Sequence, residues 1–96
     1  MFKPLNPLLH SELRLAIISL LVGSGEAEFG EIKAKTNASA GNLSVQLQKL
    51  ADAEYITLKK TFKGKYPLTI CKITQKGLKA FDEYVAVLKD YLKVRK

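Results

Sequence analysis

Lys59, Lys60, Lys63 and Lys65 fall within seven residues, in the stretch KKTFKGKYPLT, around Gly64 and beside Tyr66. Ammonium groups at this density attract a polyanion, and an aromatic ring among them can stack on a sugar or a base. A second stretch, ASAGNLSVQLQKL, offers a different chemistry. At helical spacing its leucines fall on one side. The opposite side presents Gly41, Val45, Gln48 and Lys49, with Asn42 and Ser44 on the flanks and Ser39 at the start. Small residues let such a helix approach a surface closely. Asn42, Ser44 and Gln48 can hydrogen-bond base edges, Val45 can meet a thymine methyl, and Lys49 can reach phosphate or guanine. Ser39 belongs with this group and also caps the helix.

Other chemistries lack their residues. The sequence offers no serine–histidine–aspartate set, no metal-ligand cluster and no phosphate-cradling glycine loop, so neither an enzyme nor a cofactor or metal is expected. His10 is the only histidine and has no partner for a metal site, so it is read as packing or capping near the first helix. The single cysteine, Cys71, sits mid-strand and is read as a small buried hydrophobe rather than a redox switch. Glu26, Glu28 and Glu31 read as a solvated acidic face.

The net charge of +7 is unevenly placed. Residues 1–54 carry five basic and six acidic side chains, residues 55–81 seven lysines and no acid, and residues 82–96 four basic and three acidic. All the excess therefore lies in one central segment, which is the footprint of a nucleic-acid binder. A solubilising surface or a charge-guarded edge strand would read the same way from composition alone. No apolar run is long enough to cross a membrane, and the start MFKPLNPLLH has none of the order of a signal peptide. One cysteine and no leader place the protein in the cytoplasm.

The elements that must hold these side chains follow from turn signals. Asn6-Pro7 and Ser11 start a first helix, preceded by a short turn over Pro7–Leu9, and Gly23 and Gly25 end it. A short second helix runs from about Gly30 to Thr36, after a brief strand near Phe29, and Asn37 stops it. The third helix starts at Ser39 and buries Leu43, Leu47 and Leu50. YITLKKTF and YPLTICKI are two strands of a hairpin with Gly64 at its tip. Thr74 caps a long last helix with two apolar stripes. One holds Leu78, Phe81, Val85, Leu88 and Leu92, and the other Tyr84, Tyr91 and Val94. One stripe covers the domain's own core and the other is left for a second copy, so Tyr84, Val87, Leu88, Tyr91 and Leu92 are expected at a dimer interface.

This order is that of a winged helix-turn-helix: an α+β fold, mostly α, with a three-helix core, a β-hairpin wing and a long C-terminal helix. It forms one domain over residues 1–96, with the helix-turn-helix at about 11–53, the wing at about 55–73 and the dimerisation helix at about 74–96. Three stretches, NPLLHSELRLAIISLL, NLSVQLQKLADAEYI and KGKYPLTICKITQKGLKAF, resemble the small stand-alone winged-helix transcriptional regulators of the MarR/ArsR-like class. ITQKGLKAF fits the LT-x-x-G pattern with which that class leaves its wing. The resemblance spans nearly the whole chain. It implies a homodimer on a roughly palindromic operator in double-stranded DNA, usually as a repressor. It also implies base reading by Asn42, Ser44, Val45 and Gln48, with phosphate contacts from Lys63 and Lys65. Lys59, Lys60, Gly64 and Tyr66 complete the expected wing contact. The sequence departs from the class at Glu54, where glycine is usual after the recognition helix, and in using lysine where relatives carry arginine in the wing. With no room for an effector domain, any small-molecule signal would have to act at the dimer seam, near Tyr84 and Tyr91. Two other readings stay open: a winged-helix protein-interaction adaptor, and a non-specific nucleic-acid binder.

Overall fold

A computed structural model describes residues 2–93. Its elements are α1 (Glu12–Ser24), β1 (Glu26–Glu28), α2 (Phe29–Thr36), α3 (Ala40–Asp52), β2 (Ile56–Lys63), β3 (Tyr66–Ile73) and α4 (Gln75–Lys93). The expected end of the last helix at residues 94–96, and Val94 in its second stripe, lie outside the described residues.

Local chemistry sets most boundaries. Asn6 opens the chain with a single turn: its Oδ1 accepts from the backbone N–H of Leu8 at 2.9 Å and of Leu9 at 3.3 Å. Ser11 and Ser39 are extended N-caps whose side chains accept from the N–H groups of Arg14 and Asn42. Gly23 does not end α1. The helix continues through Ser24, and Gly25, at φ 82°, closes it by donating its N–H to Leu21. Asn37 takes the left-handed conformation, φ 56°, that terminates α2.

The three strands form an antiparallel sheet in the order β1-β3-β2. β1 adds a short third strand to the hairpin, pairing Ala27 with Cys71. Directly paired residues share a face, so Ile56, Leu58, Cys71 and Ala27 point to one side. There they meet Ile17, Ile18 and Leu21 of α1, Ile32 of α2, and Leu43, Leu47 and Leu50 of α3 in one apolar core. Pro67 pairs with Phe62 beyond the reach of β1, which spans only Ile70 to Lys72. Its missing N–H falls on that open edge, where a strand tolerates proline.

The junction between α3 and the wing is closed by backbone. Tyr55 donates its N–H to Leu50 O at 3.0 Å and Glu54 to Ala51 O at 2.9 Å, the paired bonds of a Schellman stop. Glu54 sits at φ 65°, the left-handed position that glycine usually fills. Thr74 then ties wing to helix. Its N–H donates to Tyr55 O at 3.0 Å, its hydroxyl lies 2.7 Å from Glu54 O and 3.0 Å from Tyr55 O, and it accepts from the N–H of Gly77 at 3.0 Å. Gly77 has no room for a side chain: a Cβ there would fall on the carbonyl oxygen of Tyr55. The T-x-x-G spacing is thus a packing requirement, with threonine as cap and clamp and glycine as the point of closest approach.

The last helix turns a different face inward than spacing implied. Gly77, Ala80 and Tyr84 are its buried residues, a 3-4 stripe in which two members are small and carry little hydrophobic signal. Tyr84 is 4% exposed within the single chain, and its hydroxyl lies 3.0 Å from His10 Nδ1. It is therefore a core residue and not part of a dimer seam. Phe81 and Leu88 pack against the core as well. Tyr91 already has partners in its own chain: its ring stacks on Phe2 at 4.6 Å and its hydroxyl donates to Lys3 O at 2.8 Å. Val87 is half-buried and Leu92 is exposed. The stripe Leu78, Phe81, Val85, Leu88 and Leu92, alternating by three and four, is the one left half-exposed, with Leu92 fully at the surface.

Candidate nucleic-acid interface

With Leu43, Leu47 and Leu50 turned into the core, α3 has to present its other side. Gly41, Asn42, Ser44, Val45, Gln48 and Lys49 are all exposed. Hydrogen bonds already organise several of them. The Oγ of Ser39 accepts from the N–H of Asn42 at 3.2 Å, so this side chain is occupied in starting the helix. Asn42 Oδ1 accepts from Gln46 Nε2 at 3.0 Å, and Gln48 Nε2 donates to Asp52 Oδ1 at 2.8 Å. Gln48 thus keeps its carbonyl oxygen free as an acceptor.

Gln46 was not among the expected site residues. It lies on the flank of α3 beside α1, where Arg14 Nη1 donates to its Oε1 at 2.5 Å. Its spacing of four from Asn42 was legible, but the arginine that holds it comes from another helix.

The wing divides its lysines between two faces. Lys60 pairs with Thr69 and Phe62 with Pro67, on the face that continues outward from the core. Lys60 and Thr69 line a crevice with Ser44, Gln48, Leu58 and Phe29, so this lysine faces α3 and not open solvent alone. Lys59 and Lys63 project from the other face, with Thr57, Thr61, Ile70, Lys72 and Tyr66 in register beside them. Gly64 at φ 63° makes the two-residue turn with Lys65. Lysine on both faces and at the tip gives the wing a basic surface along its length.

Exposed aromatic and aliphatic groups mark the same region. Val45 is 52% exposed, Phe62 72% and Tyr66 76%. The exposure of Tyr66 decides that its ring is not packed away on the hairpin. Phe62 was not expected as a contact, yet it lies on the same face of the wing as Lys60 with its ring in solvent. Cys71 is fully buried, and burial pushes its thiol up to about 11. Among the described residues no three histidine, cysteine or acidic side chains gather as a metal group. No helix among them is long and apolar enough to cross a membrane.

The family model for a winged helix DNA-binding domain matches residues 13–92. An uncharacterized protein of Methanocaldococcus jannaschii is 40% identical over 77 residues, covering 79% of this chain and 83% of that protein. The transcriptional regulator homologue protein from Pyrococcus horikoshii OT3 superposes with a TM-score of 0.84 at 23% identity, over 90% of this chain and 85% of its own. Bacillus subtilis PadR, solved in complex with operator DNA, superposes with a TM-score of 0.69 at 23% identity, over 78% of this chain. This chain spans about half, 48%, of the PadR chain.

Proposed function

This chain belongs to the winged helix DNA-binding domain family, and on that premise we propose that it is a sequence-specific transcriptional regulator of double-stranded DNA, acting as a homodimeric repressor. The family is non-enzymatic. The observation that carries the proposal is one surface: the small, polar outer side of α3 beside a wing that holds five lysines and no acid over residues 56–73, with Ser44, Gln48 and Lys60 lining one crevice. Asn42, Ser44, Val45 and Gln48 read base edges in the major groove, and Lys49 joins them or takes a phosphate. Lys63 and Lys65 lie on the flanking backbone, and Lys60 reaches the phosphate between wing and helix. These cations position the protein without reading sequence. PadR, a structural neighbour, was solved on its operator, which supports the same mode here.

The half-exposed stripe Leu78, Phe81, Val85, Leu88 and Leu92 supports the dimer, because its heptad spacing is that of a helix seam. The seam of the proposal is thus this stripe with Val87, and Tyr84 is excluded from it. A small apolar effector would enter the groove between the segment Pro4–Pro7 and α4 at Ala80, Tyr84 and Val87. Tilting α4 there changes the spacing of two recognition helices, which half-sites about one DNA turn apart do not tolerate. The cytoplasm is the compartment in which such a protein meets DNA.

Selection of bound duplexes from a random pool, followed by binding at several salt concentrations, tests the reading. An enriched inverted repeat is expected, and Lys63→Ala/Lys65→Ala should flatten the slope of log K against log salt by about 1 to 2, near 0.9 for each lost phosphate contact. Salt-sensitive binding without enrichment would make the protein a non-specific nucleic-acid binder. Absence of binding would leave the adaptor reading.

A further inference from the structure

We infer that Gln46, held by Arg14, fixes which edge of the Asn42 amide meets DNA and so sets the base read at that position; the inference rests on the regulator reading above. The starting point is a group with no choice. A guanidinium has donors only. Arg14 Nε donates to Leu8 O at 2.6 Å, which anchors the side chain, and Nη1 donates to Gln46 Oε1 at 2.5 Å. Gln46 must turn its carbonyl oxygen to the arginine. Its amide is planar, so its NH2 is directed away, and there it donates to Asn42 Oδ1 at 3.0 Å. Asn42 in turn has its oxygen directed to Gln46 and its NH2 away from it. The backbone of Asn42 is fixed too, since its N–H is held by the Ser39 cap. Hydrogen-bond polarity passes from a buried-side arginine on α1, through one glutamine, to an exposed asparagine on α3.

This polarity has a consequence for sequence. An asparagine that pairs with adenine uses both ends of its amide, oxygen to N6–H and nitrogen to N7. Asn42 has its oxygen turned toward Gln46, one lone pair already used, and presents its two N–H donors outward. Acceptor edges suit it: guanine with N7 and O6 best, and thymine O4 next. Cytosine, whose major-groove edge offers only the N4 donor, suits it least. Gln46 is therefore a positioning residue, reading no base itself.

Gln46→Glu reverses the relay without removing it. One carboxylate oxygen keeps Arg14 as a charge-assisted pair, and the other can only accept. Asn42 must then turn its NH2 inward and its oxygen outward. Random-pool selection with wild type, Gln46→Glu and Gln46→Ala tests this, with thermal melts to show that each variant is folded. Wild type should prefer guanine at one half-site position by about fivefold or more. Gln46→Glu should move that single position to cytosine or adenine, and Gln46→Ala should flatten it, with the other positions unchanged. The added charge lowers affinity for all sequences alike and leaves this comparison intact. If all three proteins enrich the same base there, or if the variants lose preference at every position equally, the inference is overturned and the regulator reading survives. If wild type enriches no sequence, the regulator reading falls and takes the inference with it.

Discussion

Gly77→Ala should be the most damaging single-methyl change in this protein. The added Cβ falls on the carbonyl oxygen of Tyr55, and it would also lie 3.0 Å from the Tyr55 carbonyl carbon and 3.1 Å from Ile73 Cγ1. Two of these three atoms are backbone, so no flexible side chain can give way. To make room, α4 must withdraw from the base of the wing. Tyr55 O there accepts from Thr74 N–H and lies within reach of the Thr74 hydroxyl, both at 3.0 Å. Overpacking of this kind costs roughly 1–3 kcal/mol, and each weakened hydrogen bond adds about 1 kcal/mol. Replacing a helical glycine by alanine returns about 1 kcal/mol. The net is a loss of about 2–4 kcal/mol, which in a domain of this size lowers Tm by roughly 10–20 °C. Urea and thermal unfolding measure it, with Gly30→Ala as the control. A Cβ at Gly30 meets nothing within 4 Å, so that variant should gain about 0.5 kcal/mol. If Gly77→Ala melts within 2 °C or so of wild type, or tracks Gly30→Ala, the close approach of α4 to the wing is not what requires the glycine.

Two further outcomes follow from single residues. Glu54→Gly relieves a left-handed residue at the end of α3, which costs about 1–2 kcal/mol, while losing glycine's backbone entropy and an exposed 3.6 Å pair with Lys76. A net gain of about 0.5 kcal/mol, or a few degrees in Tm, is expected, and an unchanged or lower Tm would mean that the ion pair matters more than the strain. Cys71 tests burial through pH. Its folded pKa, about 11, stands above the 9.0 of the free thiol because burial disfavours the thiolate. Its contribution to stability is thus complete below pH 9 and is lost as pH rises through 11, since the unfolded chain ionises first. The stability difference between wild type and Cys71→Ala, from urea melts, should be constant up to pH 9 and shrink above it. Parallel curves across the whole range would refute the buried thiol.

Where sequence reasoning failed, it failed for one physical reason. Apolar periodicity weighs large side chains, so it divided α4 into two stripes, Leu78, Phe81, Val85, Leu88 and Leu92 beside Tyr84, Tyr91 and Val94, one for the core and one for a second copy. The helix packs closest between those stripes, through Gly77 and Ala80, where smallness allows close approach, and through Tyr84, whose hydroxyl is satisfied by a histidine 74 positions away, with Phe81 and Leu88 partly buried beside them. No local pattern announces that pairing. The same limit left the brief strand expected near Phe29 without a partner, which proves to be β3, and hid Gln46, whose significance depends on an arginine from α1. Phe62 was legible as a strand residue but not as an exposed one, because a hairpin that outreaches its core leaves both faces in water.

What the amino-acid order determined by itself is local. Ser11, Ser39 and Thr74 satisfy orphan N–H groups within three residues, and Gly25, Asn37 and Gly64 take the positive φ that ends helices or turns the hairpin. The leucines of α3 choose its buried side, so the side left exposed was fixed by spacing alone. The tertiary structure decided everything that needs a second element. It set which face of α4 is hidden, which lysine of the wing faces α3, and which end of the Asn42 amide is turned outward, because each depends on atoms of separate elements that only folding brings together.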